Sequence, residues 1–149
     1  MRKIYYGYDT FRQDLKILVQ KIDREFDTIL AIARGGLSIA HMLGEYYNIR
    51  AVYAINTIGY EDTQKLQNVT VFNVPDLHRS KHVLIVDDIV DSGDTIVEVL
   101  KVLKQMYPQT NFYIASLFYK KSAKIAPDWY VKDAEDWVSF FWTVDLLGE

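Results

Sequence analysis

The chain has 149 residues, with 17 Lys and Arg against 20 Asp and Glu, a net charge of −3, and half its residues hydrophobic. This is the make-up of one domain with one core, able to bury roughly 70% of its unfolded surface without a disulfide or structural metal. Zero Cys excludes thiol catalysis, iron–sulfur clusters and Cys-type zinc sites, and an acidic balance with no Lys/Arg stripe argues against nucleic-acid binding.

In chain order, the N-terminus MRKIYYGYDT has no apolar segment behind its basic residues, and no run of about 18 apolar residues follows anywhere. A cytoplasmic location with no membrane span is expected. Phe11, Leu15, Leu18, Val19, Ile22 and Phe26 recur at spacings of three and four and predict a first helix, with Thr10 and Gln13 as its capping box. TILAIA at 28 to 33 is an apolar run suited to a strand covered on both faces. Arg34-Gly35-Gly36 breaks it before a second helix around 37 to 47.

Further strands are expected at 51 to 56, 69 to 74, 82 to 87 and 111 to 119. Between the last two, Ile96, Val99, Leu100, Leu103 and Met106 mark a helix that Pro108 stops. Residues 57 to 68, with Gly59 and several charges, read as a mobile surface loop, and 120 to 149 as short irregular pieces holding all three Trp. The alternation of strand and helix predicts a single α/β domain, 1 to 149, around a mainly parallel sheet. The 11 Tyr, 7 Phe and 3 Trp suggest aromatic platforms or an oligomer interface.

Chemistry concentrates in VLIVDDIVDSGDT, 83 to 95, where Asp87, Asp88, Asp91 and Asp94 fall within eight residues at the end of an apolar strand. Open α/β sheets bind ligands outside the carboxyl ends of their strands. Ser92, Gly93 and Thr95 can offer amides and hydroxyls to a phosphate at the next helix's start. Acids beside a phosphate would repel it unless they hold sugar hydroxyls or a hard cation such as Mg²⁺. Helix capping and a solvated turn are the plainer use of such acids, but two adjacent acids, a third and then S-G-x-T exceed what capping needs.

This segment resembles, over thirteen positions, the phosphoribosyl pyrophosphate (PRPP) signature of the type I phosphoribosyltransferases. LAIARGG, 30 to 36, is similar to that family's pyrophosphate loop. Chain length, the aromatic tail and the lysine of LFYKK extend the likeness, loosely over the whole chain, to the short bacterial xanthine-guanine phosphoribosyltransferases. The resemblance implies a type I phosphoribosyltransferase fold: a parallel twisted sheet flanked by helices, with a small hood built from the two termini. It also implies a homo-oligomer, dimer or tetramer.

The activity implied is transfer of ribose 5-phosphate from PRPP to N9 of a 6-oxopurine, with release of pyrophosphate and with Mg²⁺ as cofactor. A regulatory protein that keeps the fold but binds nucleic acid is the alternative. By the same resemblance Arg34, Gly35 and Gly36 meet pyrophosphate, and the Ala33–Arg34 peptide is expected to be cis. Asp87 and Asp88 hold the ribose hydroxyls, Asp88 also the metal, and Asp91 takes the purine N7 proton. Ser92, Gly93, Asp94 and Thr95 cradle the 5-phosphate.

Lys120 reads the purine O6, with Lys121 as alternative, and Trp137 and Val138 meet the base, with Trp142 and Trp129 as rival platforms. Asp94 stands where many relatives carry Gly or Lys, so its side chain is expected to turn away or be tied to a neighbour. Gly59 and Tyr60 stand near the family's lid dipeptide, and Asp145 is the nearest candidate for the acid that meets the purine 2-position. Plain salt bridging for Arg34 and plain surface charge for Lys120 are the bland alternatives.

Overall fold

A computed structural model describes residues 2–61 and 67–148. In chain order it has β1 (Lys3–Tyr6), α1 (Tyr8–Lys21), β2 (Thr28–Ala33), α2 (Leu37–Tyr47), β3 (Val52–Glu61) and β4 (Gln67–Phe72). Then come β5 (His82–Val90), α3 (Asp94–Met106), β6 (Asn111–Tyr119), β7 (Trp129–Asp133), β8 (Trp137–Phe140), α4 (Phe141–Val144) and a closing 3₁₀ turn, Asp145–Leu147.

The main sheet has six strands in the order β4-β3-β2-β5-β6-β7. Every pairing is parallel except β3 with β4. Strand residues alternate between two cores, as a two-residue period demands. Ile29, Ala31, Leu84 and Val86 face α1 and α2, with Phe11, Leu15, Leu18, Ile39 and Leu43. Leu30, Ile32, Val83 and Ile85 face α3, with Ile96, Val99 and Leu103. The middle of each inner strand is therefore apolar on both faces, which is why ILAI of β2 and VLIV of β5 show no alternation.

β2 leads through α2 to β3 on one side, whereas β5 leads through α3 to β6 on the other. The crossovers from the parallel neighbours β2 and β5 thus progress in opposite directions across the sheet, and their helices lie on opposite faces. Such a switch point opens a crevice at the carboxyl ends of the two strands. β1 and β8 form a separate parallel ladder, Lys3 opposite Trp137 and Tyr6 opposite Phe140, which is the expected hood from the two ends of the chain.

Several expectations change. α1 starts at Tyr8 after Gly7, which makes no side-chain cap. Thr10 therefore lies inside the first turn, and the capping box is not used. Phe26 lies beyond α1 and packs on Tyr113 and Trp129. Met106, expected on the buried stripe of α3, is half exposed.

The loop expected from 57 to 68 is strand at both ends: β3 runs to Glu61 and pairs antiparallel with β4, Thr57 opposite Val71 and Glu61 opposite Gln67. Gly59 sits in that ladder with room for a Cβ. An edge hairpin tolerates polar residues because one side of it meets solvent, which hid the period. Residues 62–66 of that segment lie outside the described residues. The strand expected at 69 to 74 ends at Phe72, where Asn73 turns to φ 57°.

Gly36 is buried where β2 meets α2, and a Cβ there would run into the Val86 carbonyl oxygen and the Ile32 backbone. Backbone cannot yield as a side chain does. Gly36→Ala is expected to cost about 2 kcal/mol or more of stability, read from urea unfolding; an unchanged midpoint would contradict this packing.

Candidate functional site

The crevice is built by two turns. β2 runs out into Arg34-Gly35-Gly36, and the Ala33–Arg34 peptide is cis, as expected. Arg34 is exposed and makes no ion pair with any described residue, so the salt-bridging alternative has no partner there. β5 carries Asp87 and Asp88 near its carboxyl end, beyond its last pairing with β2 at Val86, and ends at Val90 before the turn at 91 to 93 that opens α3.

The turns touch: a Cβ on Gly35 would collide with the Asp88 carboxylate. Only a glycine lets the backbone come this close. Asp87 is buried and accepts a hydrogen bond from the Asp88 N–H at 2.9 Å. Burial first, and the neighbouring Asp88 charge second, push the Asp87 carboxyl well above the usual carboxylate range. Burial raises Asp88 as well. The pair is short of positive charge.

Beyond it, Gly93 adopts φ 86° and lies against the backbone N–H groups of Lys124 and Ile125, so both its conformation and its surroundings require glycine. The Asp94 N–H donates to Ser92 Oγ at 3.2 Å. Asp94 itself is held by Lys124 at 2.5 Å, and that contact lowers its pKa despite some desolvation. The expected neighbour is thus Lys124, on the segment after β6. Residues 87 to 93, Thr95 and Ile96 line a hollow of about 230 Å³.

A second cleft, about 400 Å³, opens toward the hood and is lined by Asp91, Lys120, Trp137 and Val138. Lys120 Nζ stands 3.8 Å from Asp91 Oδ1. Lys121 instead reaches Asp133 at 3.7 Å. Trp137 is 60% exposed, an uncovered ring at the cleft wall. The rival rings are occupied: Trp142 stacks on Phe140 at 4.8 Å and 6°, and Trp129 packs edge-on to Phe26.

Asp145 is not among the residues lining this cleft; it accepts a hydrogen bond from the Tyr5 hydroxyl at 2.8 Å. Glu135, Asp136, Ser139 and Thr143 line it instead, and sequence reasoning missed all four. The available signal was that they flank Trp137-Val138 in the chain. A third cavity, about 1000 Å³, runs from Arg34 and Gly35 past Asp88 to Thr57 and Ile58 of β3. Gly59 and Tyr60 lie just beyond in the hairpin, Tyr60 opposite Asn68; its side chain lies outside the described residues.

Among the described residues no three His, Cys, Asp or Glu converge as a metal cage. Asp87 and Asp88 offer two carboxylates at most, the donor set of a hard cation that completes its shell with phosphate and water. Their raised pKa values fit such a cation, which would supply the charge the pair lacks.

A family model described as a phosphoribosyl transferase domain matches residues 8–148. The xanthine-guanine phosphoribosyltransferase of Chromohalobacter salexigens is 30% identical over 143 residues, 94% of this chain and 83% of that protein. The solved Helicobacter pylori xanthine-guanine-hypoxanthine phosphoribosyltransferase is 40% identical with a TM-score of 0.90, covering 99% of this chain and 97% of that one. A purine phosphoribosyltransferase from Pyrococcus horikoshii is 28% identical with a TM-score of 0.81 over 95% of each chain.

The Asp94–Lys124 contact makes a pH prediction. A carboxyl whose folded pKa lies below its unfolded one adds stability above the unfolded value and loses it as pH falls through the folded value. In Lys124→Met, Asp94 is expected to titrate nearer the ordinary carboxylate range, followed by carboxyl-carbon NMR. An unchanged low titration would show that Lys124 is not the cause.

Proposed function

The chain belongs to the phosphoribosyl transferase family, and from that premise we propose that it is a 6-oxopurine phosphoribosyltransferase, transferring ribose 5-phosphate from PRPP to N9 of guanine, xanthine or hypoxanthine. The observation that supports this reading most is the joining of three neighbouring spaces: the anion-ready turn before α3, the Arg34–Gly36 turn against Asp88, and an aromatic-walled cleft holding Asp91 and Lys120. Its relatives' names point the same way.

Breaking a glycosidic carbon–oxygen bond of this kind builds positive charge on the sugar and negative charge on the departing pyrophosphate. Carboxylates beneath the ring favour the first, and Asp87 and Asp88 hold its hydroxyls. The Gly35 amide and the Arg34 guanidinium take up the second; the Gly36 N–H donates to the Ile32 carbonyl at 2.9 Å, so Gly36, expected to meet pyrophosphate, does not offer it an amide. Mg²⁺, held by Asp88 and the phosphates, would supply further positive charge there.

Amides at 92 to 95 and the N-terminus of α3 bind the 5-phosphate, with Asp94 neutralised by Lys124. Asp91 accepts the N7 proton while Lys120 donates to O6 and Trp137 stacks on the ring, Val138 meeting its edge. The β3–β4 hairpin, with Gly59 and Tyr60, closes over the pyrophosphate side and excludes water.

A cytoplasmic location accords with a described chain in which no helix is long and apolar enough to cross a membrane. Exposed Leu37, Tyr46 and Tyr53 favour a homo-oligomer. Nothing favours the nucleic-acid alternative, which the charge of −3 opposes.

The test is direct. The protein is mixed with PRPP, Mg²⁺ and each 6-oxopurine, and ultraviolet absorbance follows nucleotide formation; no nucleotide from any of the three would refute the reading. Asp91→Asn is expected to lower kcat and kcat/KM together by about 10²-fold. Lys120→Met should raise the purine KM far more than the PRPP KM, with Lys121→Met close to wild type.

A further inference from the structure

Among the described residues the hood shares no backbone ladder with the main sheet, so side chains must seat it. Tyr6, the last residue of β1, is 3% exposed and reaches into the core. Its hydroxyl donates to Asp14 Oδ2 of α1 at 2.6 Å. The same oxygen lies 3.1 Å from Lys132 Nζ of β7, and that ammonium stands 5.6 Å from the Tyr6 ring centre. Asp14 is itself 3% exposed.

A buried carboxylate is costly unless paired and hydrogen-bonded. An apolar side chain would fill this place with less desolvation. What the polar group adds is direction, because a short hydrogen bond fixes where the Tyr6 ring lies.

That ring holds two ligand-facing elements at once. It meets Phe118 of β6 edge-on at 5.2 Å and Phe140 of β8 edge-on at 5.5 Å, and the two phenylalanines meet each other at 5.9 Å. Phe118 precedes Lys120 by two residues, and Phe140 follows Trp137 by three. Lys132 pairs in register with Phe118, and Tyr6 with Phe140. The node therefore sets the spacing between the strand end that carries Lys120 and the strand that carries Trp137.

We propose that Tyr6, Asp14 and Lys132 form a positioning latch that seats the hood and fixes the width of the purine cleft between Lys120 and Trp137. The inference rests on the reading of that cleft as the purine site. Burial and the Asp14 carboxylate push the Tyr6 pKa upward, so the hydroxyl stays a donor wherever the enzyme is folded. β5 meets the node at Ile89, opposite Phe118, but the turns proposed for PRPP follow β2 and β5, whose backbones are held by sheet ladders on both sides, so loosening a side-chain latch should affect the purine far more than PRPP.

Tyr6→Phe removes the hydroxyl and keeps the ring; Lys132→Met and Asp14→Asn remove the other contacts. Two measurements are made on each full-length variant. In steady-state kinetics the purine KM is expected to rise about fivefold or more, with the PRPP KM within about twofold of wild type. By amide hydrogen exchange, residues 137 to 140 should open faster while those of β2 and β5 keep their protection.

Should Asp14→Asn fail to fold, the other two variants carry the test. Unchanged exchange at 137 to 140, or both KM values unchanged or rising together in Tyr6→Phe, would overturn the latch. A wild-type protein that makes no nucleotide would instead refute the assignment of the cleft, and the exchange measurement would still decide whether the latch seats the hood.

Discussion

The contact between the Gly35 backbone and the Asp88 carboxylate is the constraint on which the site depends. It exists because β2 and β5 are adjacent and parallel, with Ala31 opposite Val86, and because each then leads away to a different side of the sheet. At the point of divergence two turns are left facing one another with no room for a Cβ. One presents the exposed Arg34 and the Gly35 backbone; the other presents two acids that burial holds above their ordinary pKa, the Asp88 charge adding to the rise at Asp87. Such an arrangement is unfavourable by itself, and the cation and phosphorylated sugar proposed for it would offset that by mass action.

The sequence showed this half of the molecule well, because its signals are local. Buried strands are short apolar runs, the turns follow them at once, and the four acids with S-G-x-T lie in one stretch. The other half depends on contacts between distant residues. β1 pairs with β8 across 134 positions, Lys3 with Trp137, and three of β1's four residues are exposed, so no apolar pattern betrays either strand. β3 extends through Gly59 to Glu61 because β4 pairs with it. Asp145 looked available to a purine but is taken by Tyr5, a partner 140 residues away. The Lys124 that neutralises Asp94 arrives by the fold of the segment after β6.

This contrast has a functional side. The turns proposed to bind PRPP sit on central strands, where two cores clamp the backbone from both faces. The wall proposed for the purine sits on a two-strand hood held by packing, a buried tyrosine and a partly buried ion pair. Central strands give a fixed geometry for a charged, multivalent ligand, whereas a separately seated wall lets base preference change without rebuilding the sugar and phosphate site. Glu135, Asp136, Ser139 and Thr143 line that wall and are the residues through which such change would act.

The central claim, that the two turns make a single PRPP site through the Gly35–Asp88 approach, is tested most directly by calorimetric titration of PRPP with Mg²⁺ into the wild-type protein and Gly35→Ala. The account predicts a clear binding isotherm for the first. It predicts loss of affinity by about 10²-fold or more for the second, whose methyl group displaces the Asp88 carboxylate, with the fold retained by circular dichroism. Equal affinity in the two proteins would contradict it.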